Sequence, residues 1–118
     1  MCIFCKIVKG EIPSNKVLED DEFLAFHDIN PAAPVHILVI PKVHLENFQS
    51  VNPELMAKMT PFIQKVANLL ELDINGYRLI TNNGDDGGQE VPHLHFHILG
   101  GKKLPWHRFD DANPKEAI

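Results

Sequence analysis

Three of the chain's seven histidines stand at alternate positions of VPHLHFHILGG, residues 91–101: His93, His95 and His97. Imidazole is the side chain whose ordinary titration falls near neutral pH. A neutral ring nitrogen can attack phosphorus, while neighbouring imidazoles hold phosphate oxygens or pass a proton to a leaving group. Leu94, Phe96 and Ile98 fill the gaps, which is the period-two pattern of a half-buried strand. Such a strand puts the three histidines on one face and the three apolar residues in a core. Residues two apart are separated by about 6.5–7 Å, so His93 and His97 are expected about 13 Å apart. With Zn–N bonds of about 2.0–2.1 Å, one ion can take two neighbours of the row but not all three. The row suits an elongated ligand, attacked by the middle ring and held by a neighbour.

Other residues gain meaning beside it. NGDDGGQEV, directly upstream, reads either as a hairpin connection or as an anion cradle. In a cradle, Gly87 and Gly88 let the backbone approach and N–H groups near Glu90 and Val91 take phosphate oxygens, with Asp85 and Asp86 pointing away. Asp28, closing EFLAFHD, either caps its turn or accepts from ribose hydroxyls; Ile29 is either core or a surface against a base. Cys2 and Cys5 are either plain thiols or half of a tetrahedral zinc site, completed by two of His36, His44 and His93. His27 and His107 read as surface or structural residues.

These groups need a scaffold. VLED and EFLAFHD flank Asp20-Asp21 as a hairpin, and VHILVIP is a β-branched strand stopped by Pro41. VNPELMAKMTPFIQKVANLLEL reads as a helix with Asn52 as N-cap and Pro53 in the first turn. Its expected apolar face is Leu55, Met59, Phe62, Ile63, Val66, Leu69 and Leu70, and Pro61 should kink or split it. YRLITN is the next strand, and the tail from Lys102 onward lacks regular pattern. An antiparallel sheet with one main helix makes the class α+β.

At 118 residues the chain reads as a single domain, 1–118, of which 102–118 is an extended tail. Its formal charge of −5 argues against a non-specific nucleic-acid binder. Neither a membrane span nor a signal layout is visible, so the reading is intracellular and cytoplasmic, with reduced cysteines.

HLHFHIL with GG behind it, together with IFCKIVKGEIPSNKVLEDDEFLAFHDINPAAPVHILVIPKVH and YRLITNNGDDGGQEVPHLHFHILGG, resembles the histidine triad (HIT) family over nearly the whole chain. The likeness is closest to its Hint branch, the purine nucleoside phosphoramidases. The resemblance implies a five-stranded antiparallel sheet with one main and one short helix, and a homodimer that joins two sheets. It implies that His95 attacks the α-phosphorus of a purine nucleoside 5′-phosphoramidate or adenylate, giving a nucleotidyl-histidine. His97 then binds the α-phosphate and assists the leaving group, and His36 is the fourth active-site histidine. By the same resemblance Asn82, Gly88, Glu90 and Val91 hold the phosphate region and Asp28 the ribose. Phe4, Ile7, Phe26, Ile29 and Leu38 form the base pocket, and Trp106 approaches the partner's site. Structural zinc falls to Cys2, Cys5, His44 and His93. Two positions depart from the pattern: Glu90, where many Hint enzymes carry serine, and Pro92, where an aromatic is frequent. The rival readings are a dinucleoside polyphosphate hydrolase, a nucleotide-binding adaptor with weak catalysis, and a zinc-dependent hydrolase using the triad as ligands.

Overall fold

The structure, a computed structural model, describes residues 2–106. His107 and the rest of the expected tail lie outside the described residues. The elements are α1 (Ile3–Val8), β1 (Lys16–Glu19), β2 (Phe23–His27), β3 (Val35–Pro41), α2 (Pro53–Leu69), α3 (Leu72–Asn75), β4 (Arg78–Ile80) and β5 (Phe96–Gly100). The five strands form one antiparallel sheet in the order β1-β2-β3-β5-β4.

Both faces of this sheet are covered, which is why β2 and β3 are apolar almost without interruption. Ala25, Ile37, Val39, Phe96 and Ile98 pack towards Met59, Phe62, Ile63 and Val66 of α2. Leu24, Phe26, Leu38 and Ile40 face the other way and meet Phe4 and Ile7 of α1. Each buried side chain of this size contributes roughly 1.5–3 kcal/mol, so α1 is held chiefly by these two residues.

Helix α2 starts where local chemistry dictates. The Asn52 side-chain oxygen accepts from the Leu55 N–H at 2.7 Å, and Pro53 follows it in the first turn. Of the kink or split expected at Pro61, the split does not occur: the helix runs unbroken to Leu69. Pro61 and Ala57 are both exposed, so water can take the Ala57 carbonyl that has lost its intrahelical donor. Leu69 is exposed at the helix end, and Leu55 and Leu70 are only half-buried. Glu71, in the left-handed region at φ 58°, then breaks the spiral and α3 follows as a separate turn.

The histidine segment also differs from expectation. The strand begins only at Phe96, so His93 and His95 precede it. The Leu94 N–H donates to the Leu45 carbonyl at 2.6 Å, which draws this stretch to the loop after β3 before the β5 ladder begins. The alternation survives nevertheless. Leu94, Phe96 and Ile98 are in the core on the α2 side, and His95 and His97 lie on the opposite side with Phe4 and Leu38.

Candidate active site

β5 sets His97 directly across from Leu38 of β3, and His36 of β3 leans towards it. The hydrogen bonds around these rings fix which nitrogen holds each proton. The Ala32 N–H donates to His36 Nδ1 at 3.0 Å, so in the neutral ring the proton sits on Nε2. His36 Nε2 lies 2.8 Å from His97 Nδ1 and donates to it, which leaves the His97 proton on its own Nε2. His95 Nδ1 lies 2.7 Å from the His93 carbonyl, an acceptor only, so His95 carries its proton there. In the neutral ring this leaves the lone pair on Nε2. The rings of His95 and His97 are 5.0 Å apart, and Phe4 stands edge-on to His95 at 5.1 Å.

The protonation states follow from burial. His97 is pushed down to about 4 by desolvation first, then by the neighbouring His95 and His36, with Asp28 opposing. Burial lowers His36 as well, again opposed by the Asp28 carboxylate 3.4 Å away. Both rings are therefore neutral at pH 7, and stability acquires a defined pH dependence. Above about pH 6.5 neither the folded nor the unfolded chain protonates these rings. Below it the unfolded chain takes up protons that the folded chain refuses, so stability falls until about pH 4, where His97 itself titrates. Urea unfolding at a series of pH values should show this decline, and His97→Asn should flatten it.

The cleft in front of these rings has two adjoining parts. The polar part, about 400 Å³, is lined by His36, Asn82, Gly88, His95 and His97. The apolar part, about 770 Å³, is lined by Ile3, Phe4, Ile7, Ile12, Phe26 and Ile29 among others. Phe4, Asp28, Leu38, Glu90 and Val91 line both and form the waist between them. Every residue expected to line this chain's own cleft is thus brought together; Trp106 is expected at a partner's site. Ile29 is 91% exposed and forms the rim, not core. Trp106, 84% exposed, lies near Arg78 of β4, whose guanidinium carbon is 5.9 Å from the ring centroid. Asp28 accepts from the Asn30 N–H at 2.8 Å, which caps its turn, and it also lines the waist.

The glycine loop is built for close backbone approach. Gly88 has φ +77°, and a Cβ on Gly87 would sit 2.5 Å from the Asn83 carbonyl oxygen. The Asn82 side-chain amide donates to the Gly87 carbonyl at 2.7 Å. Two positioning residues were not foreseen. Gln89 accepts from the Gly84 N–H at 2.9 Å and donates to the Glu46 and Val91 carbonyls at 2.6 and 3.0 Å. Thr81 donates its hydroxyl to the His95 carbonyl at 2.8 Å. Both act on main-chain groups brought near by the fold, and no local pattern announces such partners. Gln89→Ala removes three bonds at once; urea unfolding should show a loss of about 1–3 kcal/mol.

A second cluster lies behind the first. The Sγ atoms of Cys2 and Cys5 and the Nδ1 atoms of His44 and His93 lie within 4.8 Å of one another. The two sulfurs are 3.1 Å apart, the two nitrogens 3.2 Å apart, and the four mixed separations run from 3.2 to 3.6 Å. Tetrahedral Zn²⁺ with ordinary bond lengths asks for edges of about 3.3–3.8 Å, so a small expansion would seat it. His93 Nε2 donates to the Pro41 carbonyl at 2.8 Å, which turns the unprotonated Nδ1 towards the cluster. Burial, with the adjacent Cys2, pushes the Cys5 thiol up in the absence of a cation. His36, the third imidazole considered for this cluster, is instead in the cleft; His27 is exposed, as expected.

The HIT domain family model matches residues 9–104, so the chain belongs to the HIT family. It is 55% identical over 103 residues to an uncharacterised HIT-like protein of Helicobacter pylori, covering 87% of this chain and 99% of that one. Among solved structures, a HIT family hydrolase from Legionella pneumophila is 47% identical with a TM-score of 0.86, covering 90% and 97% of the two chains. A histidine triad nucleotide-binding protein from Candida albicans is 36% identical with a TM-score of 0.79, covering 93% and 87%.

Proposed function

We propose that the protein hydrolyses purine nucleoside 5′-phosphoramidates or adenylates to the nucleoside monophosphate through a nucleotidyl-histidine. One observation carries this reading above the rest: the His93 carbonyl takes His95 Nδ1, so the neutral ring has its lone pair on Nε2, beside the polar part of a cleft whose other part is apolar. The relatives described as a hydrolase and as a nucleotide-binding protein support it.

The apolar part takes the base, Asp28 at the waist takes ribose hydroxyls, and the phosphate lies against His95, His97 and the glycine loop. His95 Nε2 forms a bond to the α-phosphorus as the bond to the leaving group breaks. The departing amine keeps the bonding pair and takes a proton passed through His97 and replenished from solvent. His36 holds His97 with its Nε2–H towards the phosphate. Water then attacks the phosphorus, frees His95 and releases the monophosphate.

Cys2, Cys5, His44 and His93 would hold zinc, which in this place supplies anchorage. The His93 ring belongs to the cluster while its carbonyl fixes the His95 proton, so the anchorage reaches the nucleophile. A homodimer is proposed through β4, which closes one end of the sheet order and carries exposed Leu79 beside exposed Tyr77. No helix among the described residues is long and apolar enough to cross a membrane.

The test is mass spectrometry of protein quenched during turnover of a slow adenosine phosphoramidate. A nucleotidyl adduct on His95 is expected. Tight AMP binding with no adduct and no turnover would indicate a nucleotide-binding module instead. Faster turnover of a diadenosine polyphosphate than of the phosphoramidate would favour the polyphosphate hydrolase.

A further inference from the structure

The cleft has an unusual charge inventory for a site that handles phosphate. Among the described residues that line its two parts there is no lysine or arginine, and there are two carboxylates, Asp28 and Glu90. The histidines facing the polar part include His36 and His97, both shifted towards the neutral form. The phosphate must therefore be held by N–H dipoles and neutral imidazole, which suffices for a single anionic phosphoryl group. A leaving group made of further phosphates would bring additional negative charges into the polar part, which Glu90 also lines, with no side-chain cation to receive them.

Asp28 is already engaged, bonded to the Asn30 N–H and close to His36. Glu90 is not. It is exposed, lines both parts of the cleft, and takes part in no ion pair among the described residues. Asp85 and Asp86, exposed in the same loop, add charge of the same sign upstream. A carboxylate at that waist, fixed in sequence next to the phosphate loop, is a receptor for a cation.

We propose that Glu90 sets leaving-group specificity: the cleft prefers nucleotide substrates whose leaving group carries an ammonium, such as an aminoacyl group or a diamine, and disfavours anionic ones. This rests on the function proposed above and deepens it. At an exposed site a charge interaction of this kind is worth about three- to tenfold in rate at low ionic strength, and salt screens it.

The experiment uses three adenosine 5′-phosphoramidates of equal chain length whose amine ends in an ammonium, a hydroxyl or a carboxylate. For the wild-type protein kcat/KM should fall in that order, by about three- to tenfold per step, and the steps should shrink in high salt. Glu90→Gln, which keeps the shape, should bring the three towards equality, and Glu90→Lys should reverse the order. The readout is the ratio between substrates, so a general loss of activity does not affect it. Dissociation constants of the same three compounds with His95→Ala give the ordering independently of turnover. Three wild-type ratios within twofold of unity, or an order unchanged in Glu90→Gln, would overturn the proposal while leaving the hydrolase reading intact. Absence of turnover with the binding order preserved would sink the hydrolase reading and leave charge selection standing.

Discussion

His95→Ala should bind AMP within a few-fold of the wild type and turn over an adenosine phosphoramidate about 10⁴–10⁶-fold more slowly. The binding expectation follows from how little of the cleft this ring supplies. The base pocket, the waist and the glycine loop all remain, and Phe4 keeps its packing against Phe26 at 5.8 Å. The catalytic expectation follows from the loss of the ring whose neutral tautomer leaves Nε2 for attack. His97 is a poor substitute, because its Nδ1 is occupied by His36 and its Nε2 carries the proton. Single-turnover kinetics and AMP calorimetry on the same preparation check both halves. A variant retaining a tenth of wild-type activity would remove His95 from the nucleophile's role, and His97 would have to be reconsidered for it.

Replacing Cys2 and Cys5 by serine should abolish tightly bound zinc and lower stability by about 2–4 kcal/mol, a fall in melting temperature on the order of 10 °C. The cluster joins three stretches of chain far apart in sequence: the N-terminal helix, the loop after β3 and the entry to β5. Apart from the cluster, α1 is secured mainly by Phe4 and Ile7. Its stability should therefore be the first to go, and exchange of its amide hydrogens should accelerate most. The effect on turnover should be smaller than that of His95→Ala, since no cluster side chain is assigned a chemical step. Elemental analysis of the wild-type protein is the direct check. If it holds no metal after zinc is supplied, the zinc reading fails, and a stability loss in the double variant would then be a packing effect.

The strands and the main helix were legible because their signals are local. Asn52 and Pro53 announce the start of α2 through a cap that needs only the next three residues. The runs 23–27 and 35–41 are apolar on both sides because both faces of the sheet are covered. The cleft residues were legible through family resemblance more than through pattern. Asp28 and Ile29 alone left two readings open, and only the fold shows Asp28 capping its turn and lining the cleft at once. What stayed hidden depends on partners distant in the chain. The start of β5 is delayed by the Leu94 bond to Leu45, Gln89 reaches back to Glu46, and Pro61 survives mid-helix because solvent reaches the neighbouring backbone. Likewise the Cys2-x-x-Cys5 spacing suggests a metal pair without choosing its partners; the resemblance points to His44 and His93, and the fold brings those two, not His36, to it.

The acceptor that keeps the His95 proton in place is a peptide oxygen, supplied by His93. Every amino acid brings an identical oxygen, so substitution at position 93 cannot delete the acceptor itself, as it would a carboxylate partner. Alanine at position 93 would leave the oxygen in the chain, and any signal would come from losing the ring that ties this peptide to Pro41 and the cluster. To misorient the ring one has to shift the peptide itself, and the sensitive positions are therefore those that pin that peptide from either side.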